Sequence, residues 1–111
     1  MGFGNGTSKQ LAYVEAMSSA HQASAADTWE NWDISGEVSA GALYAEILVQ
    51  VEDPHTGGVR KNGSSLVRRF ALVSARDVMT MTVELDSGKI IEVYANIDET
   101  EVNFYVIGYW E

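Results

Sequence analysis

Two histidines and sixteen carboxylates are this chain's candidates for acid–base chemistry, and there is no cysteine to supply a thiolate or a disulfide. His21 falls in a series, Leu11, Val14, Met17, His21, Ala25 and Thr28, that recurs every three or four residues. On one helix face it would be a base in a pocket, oriented by Asp27 or a sheet carboxylate. The plainer reading is a histidine at the core edge, since nothing in the sequence sets a partner beside it. His55 stands two residues from Asp53 in a turn-rich stretch, a spacing that carries little weight. Glu46 and Glu92 are the carboxylates expected on a sheet face beside Tyr44, Tyr94 and Tyr105, where an acid–base pair could work; two solvated glutamates are the simpler outcome. The sequence has no His-x-His, no His-Glu-x-x-His, no Gly-x-Ser-x-Gly and no phosphate-binding loop. The Asp98-Glu99-Thr100-Glu101 stretch lacks the alternating ligands and glycine of an EF-hand loop. No metal and no cofactor is expected.

The 111 residues suit one domain, 1–111, with one core. Seven basic against sixteen acidic residues leave a net charge of −9. That field opposes nucleic acid and anionic membranes, so neither is an expected partner. No apolar run reaches the roughly 18 residues that a membrane-spanning helix needs. Met1 to Gly6 lacks the basic-then-apolar pattern of a secretion signal and reads as a flexible end, so a cytoplasmic location is expected.

The elements that would position these residues begin with a helix. Thr7 and Gln10 make a capping-box pair, the apolar series follows, and the helix is expected to end near Trp29 to Trp32. A short strand could lie at 36–40. "LYAEILVQVED" alternates as a strand, and 53–65, with Asp-Pro, Gly-Gly and Asn-Gly, reads as a mobile loop. From Leu66 onward, three tight turns predict hairpins. Arg76-Asp77 joins the first, Asp86-Ser87-Gly88 the second with Gly88 left-handed, and the acidic tetrapeptide the third. These registers set Leu72 against Met81, Val83 against Ile91, and Val93 against Val106. One face is then Met/Val/Ile/Phe throughout. The other carries rows such as Val73, Thr80, Tyr94 and Tyr105, an Arg69–Glu84 ion pair, and an Ile90–Tyr109 pair. Gly108 is expected to face Ile91 and Phe70.

The expected architecture is therefore α+β: an N-terminal helix packed on a curved antiparallel β-meander of about five strands. In layout alone it resembles cystatin-like and NTF2-like proteins; no motif of either is matched, and no functional residue is carried over. The sequence itself favours a non-catalytic binding or interaction protein. The helix can cover one sheet face only, leaving a tyrosine-rich face with Tyr94, Tyr105, Ile107 and Tyr109. A second copy of the chain is the expected cover, making a homodimer, with a protein or a small apolar ligand as the other possible partner. Trp29 and Trp32 are candidate anchors. One alternative is a small NTF2-like pocket enzyme with His21 or Glu92 as base. Another is an acidic inhibitor or immunity-type protein that meets a basic target through Asp98, Glu99 and Glu101.

Overall fold

A computed structural model describes residues 11–72, 74–97 and 101–111. Its elements are β1 (Tyr13–Glu15), β2 (Glu30–Asp33), β3 (Tyr44–Val51), β4 (His55–Lys61), β5 (Arg69–Leu72), β6 (Val78–Glu84), β7 (Ile90–Ala95) and β8 (Val102–Trp110). They form two four-stranded antiparallel sheets, ordered β1-β8-β3-β6 and β2-β7-β4-β5. These are called sheet A and sheet B below. Only β4 and β5 are neighbours both in sequence and in a sheet; every other pairing is long-range, and the order is that of a jelly-roll sandwich.

This overturns the α+β expectation, since the described residues contain no helix and eight strands rather than about five. Residues 12–22 instead run extended along β8. Ala12 and Glu111 exchange backbone hydrogen bonds of 3.2 and 3.1 Å, His21 and Phe104 exchange a pair of 2.8 Å, and Ala16 and Ser18 donate to Ile107 and Val106. Where the ladder breaks, buried Ser18 accepts the Val106 N–H on its Oγ at 2.9 Å. The supposed helix stripe does not face a core: Met17 is 70% exposed. A free β8 edge outcompetes a helix weakened by serines, because its pairing satisfies the backbone of both strands. The capping pair Thr7 and Gln10, the flexible end 1–6, Val73, and Asp98 and Glu99 lie outside the described residues. Residues 36–40 are turns, and 55–61 form β4 inside the stretch read as loop.

The three hairpins are also corrected. β5, β6, β7 and β8 alternate between sheets B and A, so none of the three turns joins paired strands. β6 pairs with β3 (Ile47 with Met81), and β7 pairs with β2 and β4 (Val93 with Glu30 and Val59). Lys89, at φ 56°, takes the left-handed position assigned to Gly88, and its Nζ donates to the Ala42 carbonyl at 2.9 Å. Arg69 does not meet Glu84, which instead pairs with Lys61 at 3.0 Å. What survives is the alternation. Ile47, Val49 and Val51, then Val83, then Ile91 and Val93, then Val102, Phe104 and Val106 are all buried, in a core between the sheets rather than under a helix. Sheets stack about 10 Å apart, and side chains from both inner faces fill that gap. On the β1/β2 side, the gap is closed by His21 stacked on Trp32, ring centroids 4.5 Å apart.

Candidate functional site

The acid–base candidates are dispersed. His21 is sandwiched between Trp32 and Phe104 at the sandwich side. Burial holds its imidazole below the ordinary range, against the raising pull of Glu30. Burial would raise the Glu30 carboxyl, but the Ser24 and Ala25 N–H groups and the Ser24 hydroxyl outweigh it and bring it down. Glu92 lies on the outer face of sheet B, held by Arg60 Nε at 2.6 Å and the Gly63 N–H at 2.8 Å. Glu46 lies on the outer face of sheet A and accepts the Thr82 hydroxyl at 3.0 Å. The structure therefore brings neither glutamate to His21 and sets the two glutamates on opposite sides of the molecule. At one end of the sandwich is a shallow depression of about 180 Å³, lined by Pro54, His55, Thr56, Ala71, Leu72 and Asn96. At the same end, desolvation and the adjacent Asp53 push the Glu101 carboxyl up, with His55 pulling the other way. Among the described residues, no three His, Asp or Glu side chains are placed to hold a metal ion.

The two outer faces are more informative. On sheet B, Arg60 lies over the Trp29 ring (4.0 Å), Trp29 packs on Tyr94 (5.5 Å), and Arg69 lies over Tyr94 (4.9 Å). This Arg-Trp-Tyr-Arg ladder alternates cations with electron-rich ring faces. The Tyr94 hydroxyl donates to Asp27 at 2.8 Å and receives Arg69 at 3.2 Å. Loop 62–68 folds over the same face, with Arg60 Nη1 on the Leu66 carbonyl at 2.9 Å. Gly58 permits this approach: a Cβ there would lie 2.4 Å from the Arg68 carbonyl oxygen. Sheet B therefore carries its own cover.

Sheet A differs. A register shift between Glu46 and Ile47 of β3 leaves Ile107 as the extra residue on β8. Such an irregularity reverses the alternation that follows it. Tyr109, opposite Ala45, turns toward the core, while Gly108 and Trp110 turn outward opposite Glu46 and Tyr44. The outer face then reads Tyr13, Trp110, Tyr44 and Glu84 in one row, Glu15, Gly108, Glu46 and Thr82 in the next, and Tyr105, Leu48 and Thr80 beyond. Gly108 faces neither Ile91 nor Phe70. The Tyr13 ring lies across it, donating its hydroxyl to Ile107 at 3.0 Å and meeting Trp110 edge-on at 4.9 Å. Tyr13 is 48% exposed and Tyr44 37%. Leu48, Tyr105 and Trp110 on it are half-buried, and its four strands hold Glu15, Glu46 and Glu84 but no Lys or Arg.

Of the residues singled out in the sequence, Tyr105 and Ile107 belong with sheet A, Tyr109 points inward, and Tyr94 and Trp29 are in the sheet B ladder. Trp32 stacks on His21. Tyr13 and Trp110 were not singled out: Tyr13 lies in the stretch expected to be helical, and Trp110 is turned outward by the extra residue at Ile107. Arg60 was not singled out, and Arg69 was read only as a partner of Glu84, because cation–ring stacking leaves no spacing signature.

No family model matches the chain, and no curated protein matches it. Among solved structures it is similar to the Tobacco streak virus coat protein in a 2.1 Å C2 crystal form, at 15% identity and TM-score 0.49, over 90% of this chain and 83% of that one. It is also similar to a 2.4 Å structure of that virus's coat protein dimer, at 14% identity and TM-score 0.48, over 90% and 82%.

Proposed function

We propose that this is a non-catalytic interaction protein that self-associates through the outer face of sheet A. The observation that carries the reading is the aromatic character of that face: Tyr13 and Tyr44 are exposed on it, with Leu48, Tyr105 and Trp110 half-buried beside them. Exposed aromatic surface of this kind suits a protein partner, since rigid rings bury much area at low entropic cost. The test is mass by light scattering after size exclusion, over a range of concentrations, for wild type, Tyr44→Glu and Tyr105→Glu. The reading expects a wild-type assembly that each variant, still folded, reduces to a smaller mass. A wild type that stays monomeric at every concentration would sink it.

A second reading has its own support in the absence of Lys and Arg from the sheet A strands. Three glutamates beside aromatic rings suit a cationic partner, which meets carboxylates and ring faces together. An arginine-rich peptide should bind the wild type, weaken as salt rises, and lose affinity for Glu46→Gln and Glu84→Gln. Binding indifferent to both salt and these substitutions would remove this reading.

A further inference from the structure

We infer that β6 is a pairing edge that takes the β6 strand of a second copy, antiparallel about a twofold axis at Thr80. The inference does not depend on the outer-face reading. Two strands bound each sheet. Three of these edges are short: β1 has three residues, and β2 and β5 have four each. β6 has seven, Val-Met-Thr-Met-Thr-Val-Glu. Exposed strand edges are templates for pairing, and folded proteins normally blunt them by shortness, proline, lysine or a bulge. β6 is short of all of these. Its residues are β-favouring, its one charge is at its end, and Val78 is 57% exposed.

Its hydrogen-bonding direction is fixed by its neighbours. The Asp77 carbonyl accepts Val51 N–H at 3.0 Å, and Leu85 N–H donates to Leu43 at 3.0 Å. Odd-numbered residues thus address β3, and even-numbered residues, Val78, Thr80 and Thr82, point their N–H and C=O groups away from it. Among the described residues, that outward row meets Arg68, whose Nη2 donates to the Thr82 carbonyl at 3.2 Å. Val78 and Thr80 are open.

The strand is complementary to itself. A twofold axis at Thr80 sets Thr80 against Thr80 and Val78 against Thr82, each a pair whose backbone groups face one another. It sets Met79 against Met81 on the other side of the sheet. No like charges are opposed, and Arg76 of each copy comes alongside Glu84 of the other. Threonine pairs and apolar pairs across strands are favourable, and opposite charges add to them. Sheet A of the two copies becomes one eight-stranded sheet. Pairing displaces the Arg68 contact with the Thr82 carbonyl, and as a bimolecular association it should strengthen with concentration.

The chain has no cysteine, which makes a crosslink unambiguous. Thr80→Cys should oxidise to a disulfide-linked dimer, because paired residues at such a position have Cα atoms about 5.5 Å apart, inside the disulfide range. Ser87→Cys, also exposed but in the β6–β7 turn, is the control. The expected result is a crosslinked fraction several-fold above Ser87→Cys that persists when Tyr44→Glu is added. Thr80→Pro removes only an outward N–H and, still folded, should be monomeric when combined with Tyr44→Glu, where Tyr44→Glu alone keeps the β6 contact. Should it fail to fold, Thr80→Lys sets like charges on the axis and should be monomeric in the same Tyr44→Glu background. Crosslinking of Thr80→Cys no greater than that of Ser87→Cys overturns the inference. So does its loss in the Tyr44→Glu background, which would assign contact between copies to the outer face instead.

Discussion

The outer faces of the two sheets start from similar materials, aromatic rings and carboxylates on alternating strands, and end differently. On sheet B, Trp29 and Tyr94 are stacked between Arg60 and Arg69, and a loop lies over them. On sheet A, Tyr13, Tyr44 and Trp110 have one another and solvent. The difference follows from where the cations are. Arg60, Lys61, Arg68 and Arg69 all belong to β4, β5 or the turn between them, while the strands of sheet A have no basic residue. A guanidinium can lie flat on a ring and still reach carboxylates and carbonyls, so it makes a cover from a single side chain. A glutamate cannot do this, because the ring face repels it. Sheet B spends its aromatic residues on its own stability, and sheet A keeps them available.

Substitutions at matched positions sharpen this contrast, beginning with the largest. Trp29→Ala removes the middle of the ladder and should lower unfolding stability by about 3 kcal/mol, the low end for a tryptophan truncation. Tyr44→Ala on the outer face of sheet A should stay within about 0.5 kcal/mol, as surface changes do. Urea unfolding followed by circular dichroism measures both; equal losses would erase the distinction between the faces.

The glycines offer a finer comparison. Gly58→Ala pushes a methyl group into the Arg68 backbone and should cost about 1–3 kcal/mol, as overpacking does. Gly108→Ala meets only the outer end of the Tyr13 ring, which can swing into solvent. Its stability loss should be the smaller, with the change visible in the near-ultraviolet signal of the Tyr13–Trp110 contact.

The smallest effect expected is that of pH at the His21–Trp32 stack. Burial lowers the folded-state pKa of His21 below its ordinary 6.5, so the unfolded chain binds the extra proton first. Stability from the neutral ring is complete above that value and declines as pH falls through the folded pKa. Glu30, lowered overall, adds a loss of the same sign further into acid, below its ordinary 4.5. Stability measured between pH 7 and 5 should fall in the wild type and fall less in His21→Phe. An unchanged slope in that variant would assign the acid sensitivity elsewhere.

Much of the core was legible in the sequence. Period-two alternation told which side of each late strand was buried, because successive side chains leave a strand in opposite directions whatever lies beside it. Hence Val83, Ile91, Val93 and Val106 were identified as interior, and β3 was placed. The strand partners were not legible. A turn such as Asp86 to Lys89 is long enough to return a strand beside itself, and also long enough to cross about 10 Å to a facing sheet. An apolar residue opposite its partner along a sheet and one opposite it across a sandwich leave the same trace in sequence.

The site was legible only in fragments for the same reason. Tyr105 and Tyr44 were marked as outward-facing, yet the extra residue at Ile107 turned Tyr109 inward and Trp110 outward, and local pattern does not announce such a shift. The N-terminal segment shows the limit most plainly. Its three-and-four spacing described a helix with one oily stripe, but the open edge of β8 gave its backbone a better partner. What the sequence by itself determined was the burial pattern within each late strand and the acidic balance of the chain, because these are properties of the residues and of period-two geometry. Which strands pair, which face is covered and which edge stays open were decided by the tertiary structure, because each depends on residues far apart in the chain satisfying one another's hydrogen bonds and surfaces.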